Sequence, residues 1–174
     1  MSTERFGLVK HAGKDVTIVG DDLQVGHKAP DFTAQMPDWS LMEALASTRG
    51  KVRIIGSLPS LNTSVCDRET RRFNQEAAGL GDDIVILMVS MDLPYTQKDW
   101  CAAAGIDQVI TLSDHLTAEF GVKYGVLIKE NRILRRAIFV VDKHDQIVYV
   151  AYMPAIGEEP KYDEVLQAAR MASS

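Results

Sequence analysis

The sequence predicts an α/β sandwich with a mixed central sheet and flanking helices, and three observations carry that expectation. The run "DIVILMVSM" is almost continuously apolar, the pattern of a strand covered on both faces. From residue 52 onward, strand-like and helix-like runs alternate, which implies crossover helices between parallel strands. Near the end, "RAIFVVDKHDQIVYVAYM" reads as two strands joined by a turn through Asp142-Lys-His-Asp145, adding antiparallel pairing.

Taken in order, the chain opens as β structure. "KDVTIVG" alternates in part and "DDLQVG" follows a Gly-Asp-Asp turn signal, so the two predict an N-terminal hairpin within about residues 1–26. "GHKAPDFTAQ" reads as extended chain, because Pro30 disfavours helix at Ala29. Leu41, Met42, Leu45 and Ala46 recur at helical spacing with Gly50 as a stop, which predicts a helix there. "VRIIGSL" is strand-like, and residues 67–78 form a helix pattern with Phe73, Ala77 and Leu80 near one face. After "DIVILMVSM", the run "PYTQKDWCAAAG" reads as a helix with Pro94 in its first turn and Gly105 as its cap. "QVITLSD" is a short strand and "LTAEFGVKYGV" a short helix with a loop. The closing "PKYDEVLQAARMA" is amphipathic, with Tyr162, Val165, Leu166 and Ala169 on one stripe.

At 174 residues and 46% hydrophobic content the chain can bury a substantial core, and no linker or charge block divides residues 1–174, so one domain is expected. A formal net charge of -5 argues against a general electrostatic grip on nucleic acid or anionic membrane. Arg71-Arg72 and Arg135-Arg136 stay open as local anion sites. The N-terminus has no apolar core of signal-peptide length, and no stretch approaches a spanning helix, so the default location is cytoplasmic. There are two cysteines, without CxxC or HxxxH spacing, so zinc templates fail and no metal or cofactor is expected.

Cys66 closes the stretch "PSLNTSVC", between the end of "VRIIGSL" and the start of the 67–78 helix. Ligands on α/β sheets bind beyond the carboxyl ends of strands. A thiol attacks as thiolate, and the unpaired N–H groups of a helix start stabilise an anion there. Thr63 supplies a hydroxyl to orient a polar substrate or bond the sulfur, and Pro59 stiffens the loop. These parts suit a nucleophilic cysteine, against the alternative of a small apolar filler. Cys101, beside Trp100, reads by itself as core packing.

"PSLNTSVC" contains the P-x-x-x-T-x-x-C motif, as Pro59, Thr63 and Cys66. With "VGHKAPDFT", "SMDLPYTQKDWC", "ITLSDH", "AEFGVKYGVLIKE", "RAIFVVD" and "EEPKYDEVLQAA", it resembles the thiol peroxidase subfamily of peroxiredoxins, the atypical two-cysteine kind. The similar segments run in order from about residue 16 to 170. The resemblance implies a thioredoxin-like sandwich with an added N-terminal hairpin. It makes Cys66 the peroxidatic cysteine, Cys101 the resolving one, and Thr63, Pro59 and Arg136 active-site residues. Arg135 competes with Arg136 by adjacency, but strand alternation sends the two to opposite faces. The implied reaction reduces hydrogen peroxide and organic hydroperoxides through a Cys66 sulfenic acid and a Cys66–Cys101 intrachain disulfide, recycled by thioredoxin or a similar dithiol. A homodimer is also implied. The subfamily usually carries Asp where this chain has Asn62, and Gly or Pro where it has Ser64.

Two rival classes are weaker. A thioredoxin-type disulfide oxidoreductase wants CxxC at the helix start, and "VCDRET" offers one cysteine. A redox-sensing thioredoxin-fold binding protein without turnover needs neither Cys101 nor the Thr63/Arg136 set. The four histidines read as surface residues. Phe32, Met36, Trp39, Leu41 and Met42 read as core packing ahead of a dimer face.

Overall fold

The computed structural model describes residues 1–174. Its strands are β1 (Glu4–His11), β2 (Lys14–Val19), β3 (Thr33–Gln35), β4 (Leu41–Glu43), β5 (Val52–Ser57), β6 (Ile84–Ser90), β7 (Ile110–Ser113), β8 (Leu127–Ile128), β9 (Ile133–Leu134), β10 (Ala137–Val141) and β11 (Ile147–Tyr152). The helices are α1 (Ser64–Ala77), α2 (Pro94–Ala104), α3 (Glu119–Lys123) and α4 (Tyr162–Ser173).

The main sheet has the order β11-β10-β5-β6-β7-β3-β4, and a smaller one runs β1-β2-β8-β9. β5, β6 and β7 are parallel, joined by α1 and α2 as crossovers, while β10 and β11 pair antiparallel at one side. The sheet is therefore mixed, as the alternation of apolar runs predicts. Successive residues of the central strands enter opposite cores, as a period of two requires. Ile54, Ile86, Ile138 and Val140 join Phe73, Val165 and Leu166 beneath α1 and α4. Ile55, Leu87, Phe139 and Val141 join Phe32, Phe120 and Tyr124 on the other face. Burial on both faces explains why these strands read as unbroken apolar runs.

Two expectations are corrected. The N-terminal hairpin pairs β1 with β2, with His11 opposite Lys14, and "DDLQVG" forms no strand. Its two-residue loop, Ala12-Gly13, has φ of 49° and 77°, the left-handed pair that suits the twist of a tight hairpin. The turn signal at Gly20-Asp21-Asp22 instead docks the hairpin: Arg5 Nε donates to the Gly20 carbonyl and Arg5 pairs with Asp22. Near residue 41 no α-helix forms. Leu41–Glu43 is an edge strand on β3, followed by one 3-10 turn at Ala46–Thr48. Trp39 at φ 71° and the Ser40 N–H bond to Asp38 Oδ1 turn the chain back onto β3. Asp31 accepts the Leu45 and Ala46 N–H groups, so these backbone donors are satisfied without a helix. The small β8–β9 ladder was not visible as periodicity, because two-residue strands carry none.

Candidate active site

β5 ends at Ser57, and Leu58 N–H donates to the Val89 carbonyl of β6, holding the buried Pro59 at the carboxyl edge of the sheet. The loop that follows is anchored by Asp92. Its carboxylate accepts the Ser60 hydroxyl at 2.7 Å, the Leu61 N–H at 2.8 Å and the Ser90 hydroxyl at 2.8 Å. Sequence reasoning missed Asp92; the available signal was an acidic residue just past the carboxyl end of a buried strand. Thr63 is the extended residue preceding α1, with its carbonyl accepting the Asp67 N–H. Its hydroxyl donates to the Ser60 carbonyl at 2.9 Å, so it braces the loop rather than bonding the Cys66 sulfur.

Cys66 is the third residue of α1 and is fully buried. Arg136 lies just before β10, and the β10–β5 register, Ala137 opposite Ser57, brings it to the same sheet edge. Its Nη2 donates to Cys66 Sγ at 3.1 Å, its Nε to the Ile156 carbonyl at 3.0 Å, and its Nη1 to Glu69. Three partners on three nitrogens fix the plane of the guanidinium. Burial weakens the charge of Arg136, but Glu69 and Cys66 more than reverse this, so it holds its proton more tightly than a free arginine. Arg135 points the other way, over the Tyr152 ring at 4.5 Å and toward Asp22.

Glu69 is a further residue of this site that the sequence did not disclose. It sits three residues after Cys66 on α1, hence on the same helix face, and is fully buried. Oε2 pairs with Arg136 while Oε1 has no partner. Burial pushes Glu69 up to about 7, with Arg136 opposing and Glu159 adding to the rise. No periodicity announces a glutamate in a core; it became visible only through its neighbour.

Asn62, Thr63 and Ser64 form the exposed rim above the buried sulfur. With Leu61, Asp67, Arg68 and Trp100 they line a groove of about 410 Å³. Cys101 lies in the last half of α2 and is half-buried, its sulfur 3.6 Å from the Thr111 hydroxyl. Burial pushes the Cys101 thiol up, with Thr111 opposing. Both cysteines are free thiols and occupy separate helices. No group of histidine, cysteine or carboxylate side chains is arranged to hold a metal ion. Of the four histidines, His27 and His144 are exposed, whereas His11 and His115 are half-buried, His115 bonding Gln35 at 2.7 Å. Phe32 and Met42 are core, while Trp39 and Leu41 are exposed.

Comparison with known proteins follows the same lines. The family model described as Redoxin matches residues 24–166. The chain is 52% identical over 151 residues to a thiol peroxidase of Oceanobacillus iheyensis, covering 87% of this chain and 91% of that protein. It is 48% identical over 159 residues to a thiol peroxidase of Bacillus subtilis, covering 91% and 93%. Among solved structures, a peroxiredoxin-like protein from Aquifex aeolicus superposes with a TM-score of 0.85 at 37% identity, covering 98% of each chain. A thiol peroxidase from Chromobacterium violaceum gives a TM-score of 0.80 at 20% identity, over 94% and 95%, a likeness of fold.

Proposed function

We propose, on the premise that this chain belongs to the redoxin family, a thiol-dependent peroxidase cycle of the peroxiredoxin type centred on Cys66. The chain is a thiol peroxidase-type enzyme with a thioredoxin-like fold. The observation that carries the residue assignment is Arg136 Nη2 at 3.1 Å from a cysteine sulfur at the start of a helix. A guanidinium keeps its proton at neutral pH, so Arg136 can hydrogen-bond the sulfur throughout the cycle without passing it a proton.

In the first step the Cys66 thiolate attacks the terminal oxygen of a peroxide. The S–O bond forms as the O–O bond breaks, Cys66 becomes a sulfenic acid, and the departing oxygen takes a proton to leave as water or an alcohol. Arg136 and the first-turn N–H groups of α1 stabilise charge growing on that oxygen. Thr63 and Pro59 serve by holding the loop: Thr63 through Ser60, Pro59 by filling the sheet edge. Cys66 is buried beneath the Asn62–Ser64 rim, and the groove at that rim is the approach we assign to the peroxide.

In the second step the Cys101 thiol displaces water from the sulfenic acid, giving a Cys66–Cys101 disulfide. Thioredoxin or a similar dithiol then reduces it and is itself oxidised. Thioredoxins operate in reducing compartments, which supports a cytoplasmic setting, and no helix is long and apolar enough to cross a membrane. We read residues 1–174 as one domain acting in a homodimer. Exposed Trp39, edge-on to Tyr95 with ring centres 4.8 Å apart, and exposed Leu41 and Leu116 nearby support an apolar face for a second copy.

Peroxide turnover with thioredoxin, thioredoxin reductase and NADPH tests the cycle. Cys66→Ser abolishes turnover. Cys101→Ser loses thioredoxin-linked turnover but still consumes one equivalent of peroxide at Cys66. Full activity in Cys66→Ser overturns the assignment.

A further inference from the structure

α2 carries Cys101, yet only Pro94 and Gln97 among its eleven residues are buried. Trp100 packs against the core beneath α1, and directed bonds add to that modest apolar contact in holding the helix. At its carboxyl end, besides the Cys101–Thr111 contact, those bonds come from one stripe of α1. Asp67 Oδ1 accepts the Trp100 indole N–H at 3.2 Å, from the residue next to Cys101. Arg71 donates to Asp67 Oδ2 at 2.9 Å and to the Ala104 carbonyl at 3.2 Å, with its guanidinium 5.8 Å from the Trp100 ring centre. Asn74 Oδ1 accepts the N–H groups of Asp107 at 3.2 Å and Gln108 at 2.8 Å, in the segment that leaves α2. Positions 67, 71 and 74 fall at i, i+4 and i+7, one face of the helix.

We propose that Asp67, Arg71 and Asn74 form a polar latch on the carboxyl end of α2, whose release sets the rate at which Cys101 reaches the Cys66 sulfenic acid. The inference rests on the peroxidase cycle above. The step it controls is Cys66–SOH plus Cys101–SH giving the disulfide and water. While the latch is closed, a second peroxide competes for the same sulfur and converts the sulfenate to sulfinate, releasing water or an alcohol. Latch strength thus divides Cys66 between recycling and overoxidation. These three side chains are positioning residues that act through α2. Their partners lie near solvent, so water can take over the freed amides and the fold tolerates their loss.

The test uses Asn74→Ala and Arg71→Met in the full chain, followed by rapid mixing with hydrogen peroxide and tryptophan fluorescence, to which Trp39 and Trp100 both contribute. The peroxide-dependent phase should stay at the wild-type rate. The later, peroxide-independent phase should quicken by roughly three- to tenfold, the factor expected from losing one or two hydrogen bonds of ordinary net strength. Mass spectrometry should show less Cys66 sulfinic acid at each peroxide concentration. Amide exchange of the reduced protein should be faster across residues 100–108 in both variants, a readout independent of the chemistry. An unchanged or slower second phase in both variants overturns the latch. Absence of any peroxide-dependent phase in the wild type instead overturns the peroxidase reading.

Discussion

Replacing Glu69 by Gln should change the pH dependence of stability, because a fully buried carboxylate here shares one guanidinium with a sulfur. Burial pushes Glu69 up to about 7 from an ordinary value of 4.5, despite Arg136. The groups that face it are Arg136, Cys66 on the same helix, Glu159 in the loop before α4, and the Tyr162 hydroxyl. A carboxylate whose value is raised on folding keeps its proton in the native state where the unfolded chain has lost it. The contribution is therefore present below about 4.5 and lost as the pH climbs through about 7. At about 1.4 kcal/mol per unit, the change between pH 5 and pH 8 is roughly 2–3 kcal/mol. Urea unfolding of the reduced wild type and of Glu69→Gln at a series of pH values isolates it, since Asp114 and the other carboxylates cancel in the difference. The wild type should lose its advantage over Glu69→Gln as pH rises. A flat difference would mean Glu69 is not proton-coupled to folding. A rising one would mean the Arg136 pairing outweighs burial, which reverses the reasoning.

Further outcomes test other parts of the molecule. Arg136→Lys keeps a positive charge but cannot hold Ile156, Glu69 and Cys66 at once, so the second-order rate constant for peroxide, measured by stopped flow, should fall about 100-fold or more. Gly125→Ala should lower the melting temperature by about 4–10 °C, taking a cost of about 2–3 kcal/mol for this chain length. Gly125 has φ 65°, and a Cβ there would collide with the backbone of Asp21. Gly13→Ala, at φ 77° but with open space around it, should cost only about 1 kcal/mol by the same thermal scan.

The comparison of Gly125 with Gly13 shows where reading a sequence stops. Both are glycines in turns, and only the docking of the hairpin against the end of α3 separates a tolerant site from an intolerant one. The helix expected at Leu41–Ala46 failed for a related reason. Its spacing is helical, yet strand pairing to β3 and the Asp31 carboxylate satisfy the backbone at lower cost. Local propensity is a weak prior once tertiary partners exist.

Residue order by itself determined the alternation of strands and helices, the two-faced burial of the central strands, and the position of Cys66 at a strand end and helix start. These follow from periodicity and from the chain's own covalent order, which fix local geometry without reference to distant residues. The peroxiredoxin resemblance, too, was written in linear motifs. The tertiary structure decided which charges meet the sulfur. Arg136 lies 70 residues from Cys66 in sequence and reaches it because β10 pairs with β5. Glu69, Asp92 and the α1 stripe on α2 are equally invisible in order alone, since a buried carboxylate or a hydrogen bond between helices is a property of two surfaces brought together. In "PSLNTSVC" the sequence chose the thiol, and the packing of β10 and α1 around it chose its electrostatic partners.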